Sequence, residues 1–127
     1  MSAGNYNINA EQGSTFSLTL TYKDSSGSVI DVSSNTARMQ VRRSEYSSTK
    51  LLDISGANVT GPSDVVGTGG ITMNDSGVTG NINIAIDATT MALVPAGRFF
   101  YDIELVNGTT ITKLIKGKFT NDGEITR

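Results

Sequence analysis

At 127 residues the chain is long enough for one domain with a single hydrophobic core and no covalent staples. It contains no cysteine and no histidine, which excludes disulfides and thiolate metal sites and removes the commonest general base. The net charge of −2 argues against sequence-independent nucleic-acid binding, and no apolar run approaches the roughly 20 residues of a membrane helix.

In chain order, Met1-Ser2-Ala3-Gly4-Asn5 is polar and reads as a flexible arm over residues 1–5, able to dock on assembly. Tyr6, Ile8 and Ala10 then predict a first edge strand. Phe16, Leu18, Leu20 and Tyr22 alternate with Ser and Thr, the period-2 pattern of a strand with one buried face. Lys23-Asp24-Ser25-Ser26-Gly27 stops that strand, and Val29, Ile30 and Val32 predict a short third one. Ala37, Met39 and Val41 point one way while Arg38, Gln40 and Arg42 point the other, and Leu51, Leu52 and Ile54 continue the pattern. Residues 55–70, with Gly at 56, 61, 67, 69 and 70, are expected to form a long loop, either a surface insertion or a segment that orders against a neighbouring subunit.

Ile71 and Met73 predict a short strand, and Ile82, Ile84 and Ile86 a strong one. Asn74, Asp75, Ser76 and Gly77 form a turn sequence lacking the ligand pattern of a calcium loop. One helical turn is expected near residues 87–93, with Asp87 as N-cap and Pro95 enforcing the stop. Phe99, Tyr101, Ile103 and Leu105 alternate with Phe100, Asp102 and Glu104. Asn107-Gly108 then predicts a type I′ hairpin turn. The second arm, residues 109–120, leads to an expected turn at Asn121-Asp122-Gly123 and a short tail, Glu124-Ile125-Thr126-Arg127. Short strands at this spacing with Gly-rich turns predict an all-β antiparallel sandwich of about 7–9 strands in a single domain.

The predicted core is Phe16, Leu18, Leu20, Met39, Val41, Ile82, Ile84, Ile86, Phe99, Tyr101, Ile103, Leu105 and one face of the closing strand. Each large apolar side chain buried there contributes roughly 1.5–3 kcal/mol. Phe100 is the exception: alternation turns its ring away from Phe99 and Tyr101, which marks either a contact surface or a central strand covered locally on both faces. Asp102 and Glu104 read as solvated outward carboxylates, free to pair across the hairpin with Lys113 or Lys116. Lys113, Lys116 and Lys118 form a basic patch, read either as protection of an edge strand or as contact with an acidic partner. The candidate protein-contact residues are therefore Phe100, Lys113, Lys116, Lys118 and Tyr6. No catalytic, cofactor-binding or metal-ligating residues are predicted.

Three segments carry a resemblance to a known family. VPAGRFFYDIELVNGTTITKLIKGKFTNDGEITR (94–127) resembles the closing hairpin of small immunoglobulin-like β-sandwich proteins of tailed bacteriophages. GSTFSLTLTYKDSSGSVIDVSSNTARMQVRRS (13–44) is similar to that family's opening strands, and GNINIAIDATTMALVPAG (80–97) to its middle. Residues 55–70 lie outside the resemblance. It implies an immunoglobulin-like sandwich and a non-enzymatic virion component made in the host cytoplasm. Such a component assembles in multiple copies in the tail, baseplate or neck with other virion proteins and with itself. The alternatives are capsid decoration and a carbohydrate- or surface-binding module, the latter disfavoured by the absence of Trp. No cofactor, nucleic acid or membrane is expected, and the lack of His, Cys and clustered carboxylates argues against an enzyme.

Overall fold

The structure, a computed structural model, describes residues 4–74 and 77–125. Its strands are β1 (Gly4–Asn5), β2 (Ile8–Glu11), β3 (Phe16–Thr21), β4 (Thr36–Arg42), β5 (Lys50–Ser55), β6 (Asn58–Thr60), β7 (Val66–Gly67), β8 (Gly69–Met73), β9 (Asn81–Ile86), β10 (Gly97–Asn107) and β11 (Thr110–Asp122). One helix, α1 (Ala88–Leu93), follows β9. The strands make two sheets, a large one in the order β1-β11-β10-β4-β5-β6-β7, with β2 also on β11, and a small one in the order β3-β9-β8. All pairings are antiparallel except those of β1 and β2 with β11, which are parallel. The all-β expectation holds.

Among the described residues eleven strands replace the expected seven to nine for local reasons. β1 and β2 run in one continuous register along β11, Gly4 opposite Ile115 through Glu11 opposite Asp122, interrupted only at Tyr6 and Asn7. Gly4 and Asn5 are thus strand residues rather than part of a flexible arm; Met1, Ser2 and Ala3 lie outside the described residues.

The larger correction is at residues 55–70, which are two tight hairpins and not a long loop. Ser55 pairs with Asn58 around Gly56 and Ala57, with Gly56 at a φ of 57°. Thr60 then pairs with Val66 around a tight turn over Pro62–Asp64, in which Ser63 and Asp64 both take positive φ, 59° and 61°. That is the type I′ pattern, built here without Asn or Gly. The glycines at 69 and 70 open β8, where φ is 116° and 131° and a Cβ would overlap the Ala85 and Gly56 carbonyls respectively. They serve close backbone approach rather than looseness.

Two other turns differ from expectation. Asn107 pairs with Thr110, so the hairpin tip is Gly108-Thr109, and only Gly108 has positive φ (60°). Glycine at the first central position with one positive φ is the type II′ solution. Asn121 and Asp122 do not turn; they continue β11 to its end, held by β2. Asn121 is buried, and its amide donates to the Val94 and Pro95 carbonyls at 3.1 and 3.2 Å. The predicted tail residues Thr126 and Arg127, like Asp75 and Ser76 of the predicted turn, lie outside the described residues.

The segment 29–32 forms no strand, only a bridge between Lys23 and Val29. Asp24 consumes the local donors instead, accepting from the Ser26 and Ser28 N–H groups and the Ser26 hydroxyl. Such Asx turns compete with ladder bonds. Val32 is nonetheless fully buried.

The core lies between the sheets. Met39, Val41, Leu52, Ile54 and Ile103 from the large sheet meet Ile82, Ile84 and Ile86 from the small one, and Met91 of α1 joins them. The Phe16 and Phe119 rings contact across the layers at 5.8 Å, tilted by 54°. Leu18 and Leu20 are the exceptions among the predicted core, being only half-buried.

Asp87 joins three parts of this frame. As the predicted N-cap it accepts from the Thr90 N–H (3.1 Å) and hydroxyl (2.6 Å), and its other bond comes from the Thr68 N–H (2.9 Å). The Thr90 hydroxyl first, then the Thr68 N–H, hold its carboxyl below the usual aspartate value. A depressed carboxyl pKa contributes stability present above the unfolded value near 3.8, lost as pH falls through the folded one. Asp87→Ala is expected to cost about 0.5–2 kcal/mol in urea unfolding at neutral pH. The deficit against wild type should shrink when the titration is repeated below pH 3; an unchanged deficit would remove the charge from this account.

Candidate functional site

The strongest surface feature is the outer face of the large sheet where β4, β10, β11 and β1 lie side by side. Strand parity dictates its contents. On β10, Phe99, Tyr101, Ile103 and Leu105 face the core, so Phe100, Asp102 and Glu104 face out. Their neighbours on β11 are Lys118, Lys116 and Lys113, and on β4 they are Arg42, Gln40 and Arg38.

Three lysines at 113, 116 and 118 cannot share one face of a regular strand, since 113 differs in parity from the other two. A bulge resolves this. Ile103 pairs with Ile115 and Glu104 with Lys113, leaving Leu114 as the extra residue. The one-residue shift brings Lys113 out beside Lys116 and Lys118 while Ile115, Gly117 and Phe119 stay opposite the inward set of β10. Leu114 is half-buried and packs against the core.

Lys113 sits in a cross-strand network. It pairs with Glu104 and with Asp102 (3.1 Å), and Glu104 also accepts from the Arg38 guanidinium at 2.6 Å. Only 12% of the Glu104 side chain is exposed, so it is not the solvated carboxylate the alternation predicts. The flanking Arg and Lys cover it. Asp102, at 42%, remains half in water. The Lys113 hydrogen bond, outweighing burial and joined by Arg38, lowers the Glu104 pKa; the same bond raises that of Lys113. Lys116, although opposite Asp102, makes no ion pair among the described residues.

Beside the network lies an open groove of about 820 Å³, lined by Phe100, Lys116 and Lys118 together with Arg42, Glu45 and Asn7. Phe100 is 40% exposed, between Lys118 on one side and Arg42 on the other. Arg42 is held in place by the Ser47 carbonyl (2.6 Å) and the Gln40 side chain (2.9 Å). The structure thus brings Phe100, Lys113, Lys116 and Lys118 together on one face.

Tyr6 is the predicted residue that does not join them through its side chain. Its backbone matters instead: the carbonyl accepts from the buried Tyr101 hydroxyl at 2.5 Å, and its N–H donates to Lys116 O at 2.9 Å. Burial pushes the Tyr101 hydroxyl pKa well up, so it stays a donor. Gly117 makes this approach possible, because any Cβ there would overlap the Tyr6 carbonyl. Asn7 completes the join, its Oδ1 accepting from the Lys118 N–H at 3.1 Å. The reading of the lysines as edge protection is therefore corrected for Lys116 and Lys118: from Ile115 to Asp122 β11 is flanked on both sides, since the N-terminal segment runs along it, whereas Lys113 lies before that stretch. Arg42, Asn7 and Glu45 are groove residues that sequence reasoning missed as contacts. The shared outward parity of Arg38, Gln40 and Arg42 was the available signal.

Chemically, the site offers an apolar ring framed by an anchored arginine and by Lys116 and Lys118, which make no ion pair among the described residues, so its charged groups can donate to carboxylate or carbonyl oxygens. No group of three or more potential metal ligands occurs among the described residues. No helix among them is long and apolar enough to cross a membrane. No protein-family model matches the chain, and no curated protein matches it in sequence.

The network gives a signed pH dependence. The Glu104 contribution is present above the ordinary carboxylate pKa near 4.5 and is lost as pH falls through its lowered value. The Lys113 contribution is present below about 10.5 and is lost as pH rises through its raised value. Glu104→Gln is expected to lower the urea midpoint at pH 7 and to flatten the acid limb of the midpoint-against-pH curve. Parallel acid limbs for the two proteins would show that Glu104 is not the linked group.

Proposed function

We propose that this chain is a non-enzymatic structural protein of a tailed-bacteriophage particle, present in multiple copies in the tail, baseplate or neck. The observation that carries the reading is the gathering of Phe100, Lys113, Lys116 and Lys118 on one outward face, with the ring presented between cations. This is a contact surface held by a rigid sheet. Motif order along the sequence, from TARMQVR through the YDIEL segment, supports the phage family.

The same reading takes the sandwich as immunoglobulin-like. The small sheet β3-β9-β8 corresponds to strands B, E and D. The run β11-β10-β4-β5-β6 corresponds to G, F, C, C′ and C″ of the variable type, with β2 parallel on the far side of β11. In this assignment the contact face belongs to the G, F and C strands.

Mass spectrometry of particles purified from the culture that carries this chain tests the proposal. A fixed ratio to the tail-tube protein, of the order set by tail symmetry, is expected. A ratio that follows the major capsid protein would instead make it a head decoration, and absence from particles would end the structural reading. Phe100→Ala should leave the unfolding midpoint nearly unchanged, within about 0.5 kcal/mol as for other surface positions, and reduce incorporation into particles. A large fall in thermal stability with normal incorporation would contradict it.

A further inference from the structure

The groove is one surface; the edges of the sheets are another, and they are not equally protected. On the small sheet, the outer edge of β8 is tied to the other layer by the Ile71 N–H, which donates to the Gly56 carbonyl at 2.7 Å. On the large sheet, β7 has two residues, and the opposite edge is broken at Tyr6 and Asn7 and carries Glu11. Short, broken and charged edges resist pairing. β3 has none of these devices. It is six residues long, Phe-Ser-Leu-Thr-Leu-Thr, with no charge, proline or bulge, and among the described residues it pairs only with β9.

The direction of its free backbone groups follows from one bond. The Tyr22 N–H donates to Gly80 O, in register with the β3–β9 ladder, so the even-numbered residues of β3 bond to β9. Ser17, Thr19 and Thr21 therefore aim their N–H and C=O groups away from the sheet, and no backbone bond reaches them among the described residues. The core is also thin here. Leu18 and Leu20 are half-buried, whereas the residues paired with them, Ile84 and Ile82, are completely buried.

We propose that the β3 edge pairs with β3 of a second copy of this chain, antiparallel about a two-fold axis through Thr19. The sequence is self-complementary in that register. Thr19 faces Thr19 of the partner copy, Ser17 faces Thr21, Leu18 faces Leu20 and Phe16 faces Tyr22. Each outward-bonding pair, 17 with 21 and 19 with 19, exchanges two N–H···O bonds. Hydroxyls meet hydroxyls on the outer face, and leucine meets leucine over the under-covered core. A two-fold axis sets each central residue against its own copy, so a charge there would repel itself; residues 13–22 carry none. The result is a continuous six-stranded sheet, β8-β9-β3 followed by its symmetry mate. This inference does not depend on the virion reading.

The test is sedimentation of the full chain over a dilution series, with variants at Thr19, whose side chain is exposed on the outer face. Wild type is expected to show a monomer–dimer equilibrium. Thr19→Lys and Thr19→Glu alone should each weaken it by roughly tenfold or more, by setting like charges face to face. Mixing the two variants should restore a dimer containing one of each. Because the chain lacks cysteine, Thr19→Cys should also oxidise to a disulfide-linked dimer, facing Cα atoms of such a pair lying at about 5.5 Å. Circular dichroism and melting of each variant establish that it is folded. A wild type monomeric at every soluble concentration overturns the proposal. A dimer unaffected by Thr19→Lys moves the interface away from β3, and failure of the mixed folded variants to associate rules out the register through Thr19.

Discussion

The arrangement of this surface depends on a single bulge. A strand's side chains alternate with period two, and β11 has to satisfy two incompatible phases: Ile115, Gly117 and Phe119 over the core, and Lys113 outward. Leu114 absorbs the difference. Were the ladder regular, Lys113 would enter the layer occupied by Ile103 and Ile115, and its ammonium would be buried among apolar groups without a partner. With the bulge, it reaches Glu104 and Asp102, and Glu104 in turn fixes Arg38 of β4. Three strands are thereby cross-linked on their outer side just where the groove begins. Partly exposed ion pairs are individually weak, so the network acts chiefly to fix side-chain positions; stability comes from the layer beneath.

The second dependency is at Gly117. A glycine opposite Tyr101 leaves room for the N-terminal segment to cross closely, and the tyrosine hydroxyl satisfies the carbonyl that approaches. Asn7 supplies from its side chain the acceptor that the interrupted backbone lacks. The parallel strand can therefore break at Tyr6 and Asn7 without leaving these groups unpaired, the condition for burying backbone in a fold. One consequence reaches across the molecule. With the N-terminal strand committed to β11, it is not available to cover β3, and the small sheet is left with three strands against the eight of the large one.

What was legible in the sequence was what obeys simple periodicity. The alternation of Phe99 to Leu105, of Ala37 to Val41 and of Ile82 to Ile86 placed those side chains correctly, and Asp87 was recognisable as a cap. Phe100 was legible for the same reason, being the wrong parity to be buried. Hidden features were those where one local rule yields to a non-local constraint. The hairpin at Ser63 and Asp64 carries none of the usual Asn or Gly of a type I′ turn, so its glycine-rich surroundings read as loop. Glu104 looked solvated because part of its cover, beyond that from Lys113, comes from Arg38, 66 positions away. Lys116 and Lys118 looked like edge protection because nothing in residues 109–120 announces that residues 4–11 will lie beside residues 115–122. Leu18 and Leu20 had the pattern of core residues, yet the pattern gives the face and not the number of strands that cover it.

The two surfaces differ in kind, and the difference bears on assembly. The groove on the large sheet offers charge and an aromatic ring, so its contacts should be sensitive to ionic strength. The β3 edge offers backbone hydrogen bonds and neutral side chains, which salt hardly screens. A two-fold contact through β3 uses the same patch on both copies and closes at a dimer; it cannot extend a ring or a tube. Incorporation into a multi-copy particle would then require the second, unlike surface, and the groove lies on the other sheet, where pairing at β3 does not cover it. Two-fold pairing would set two such grooves in fixed relation, doubling the engagement with a repetitive partner without any new contact within the chain.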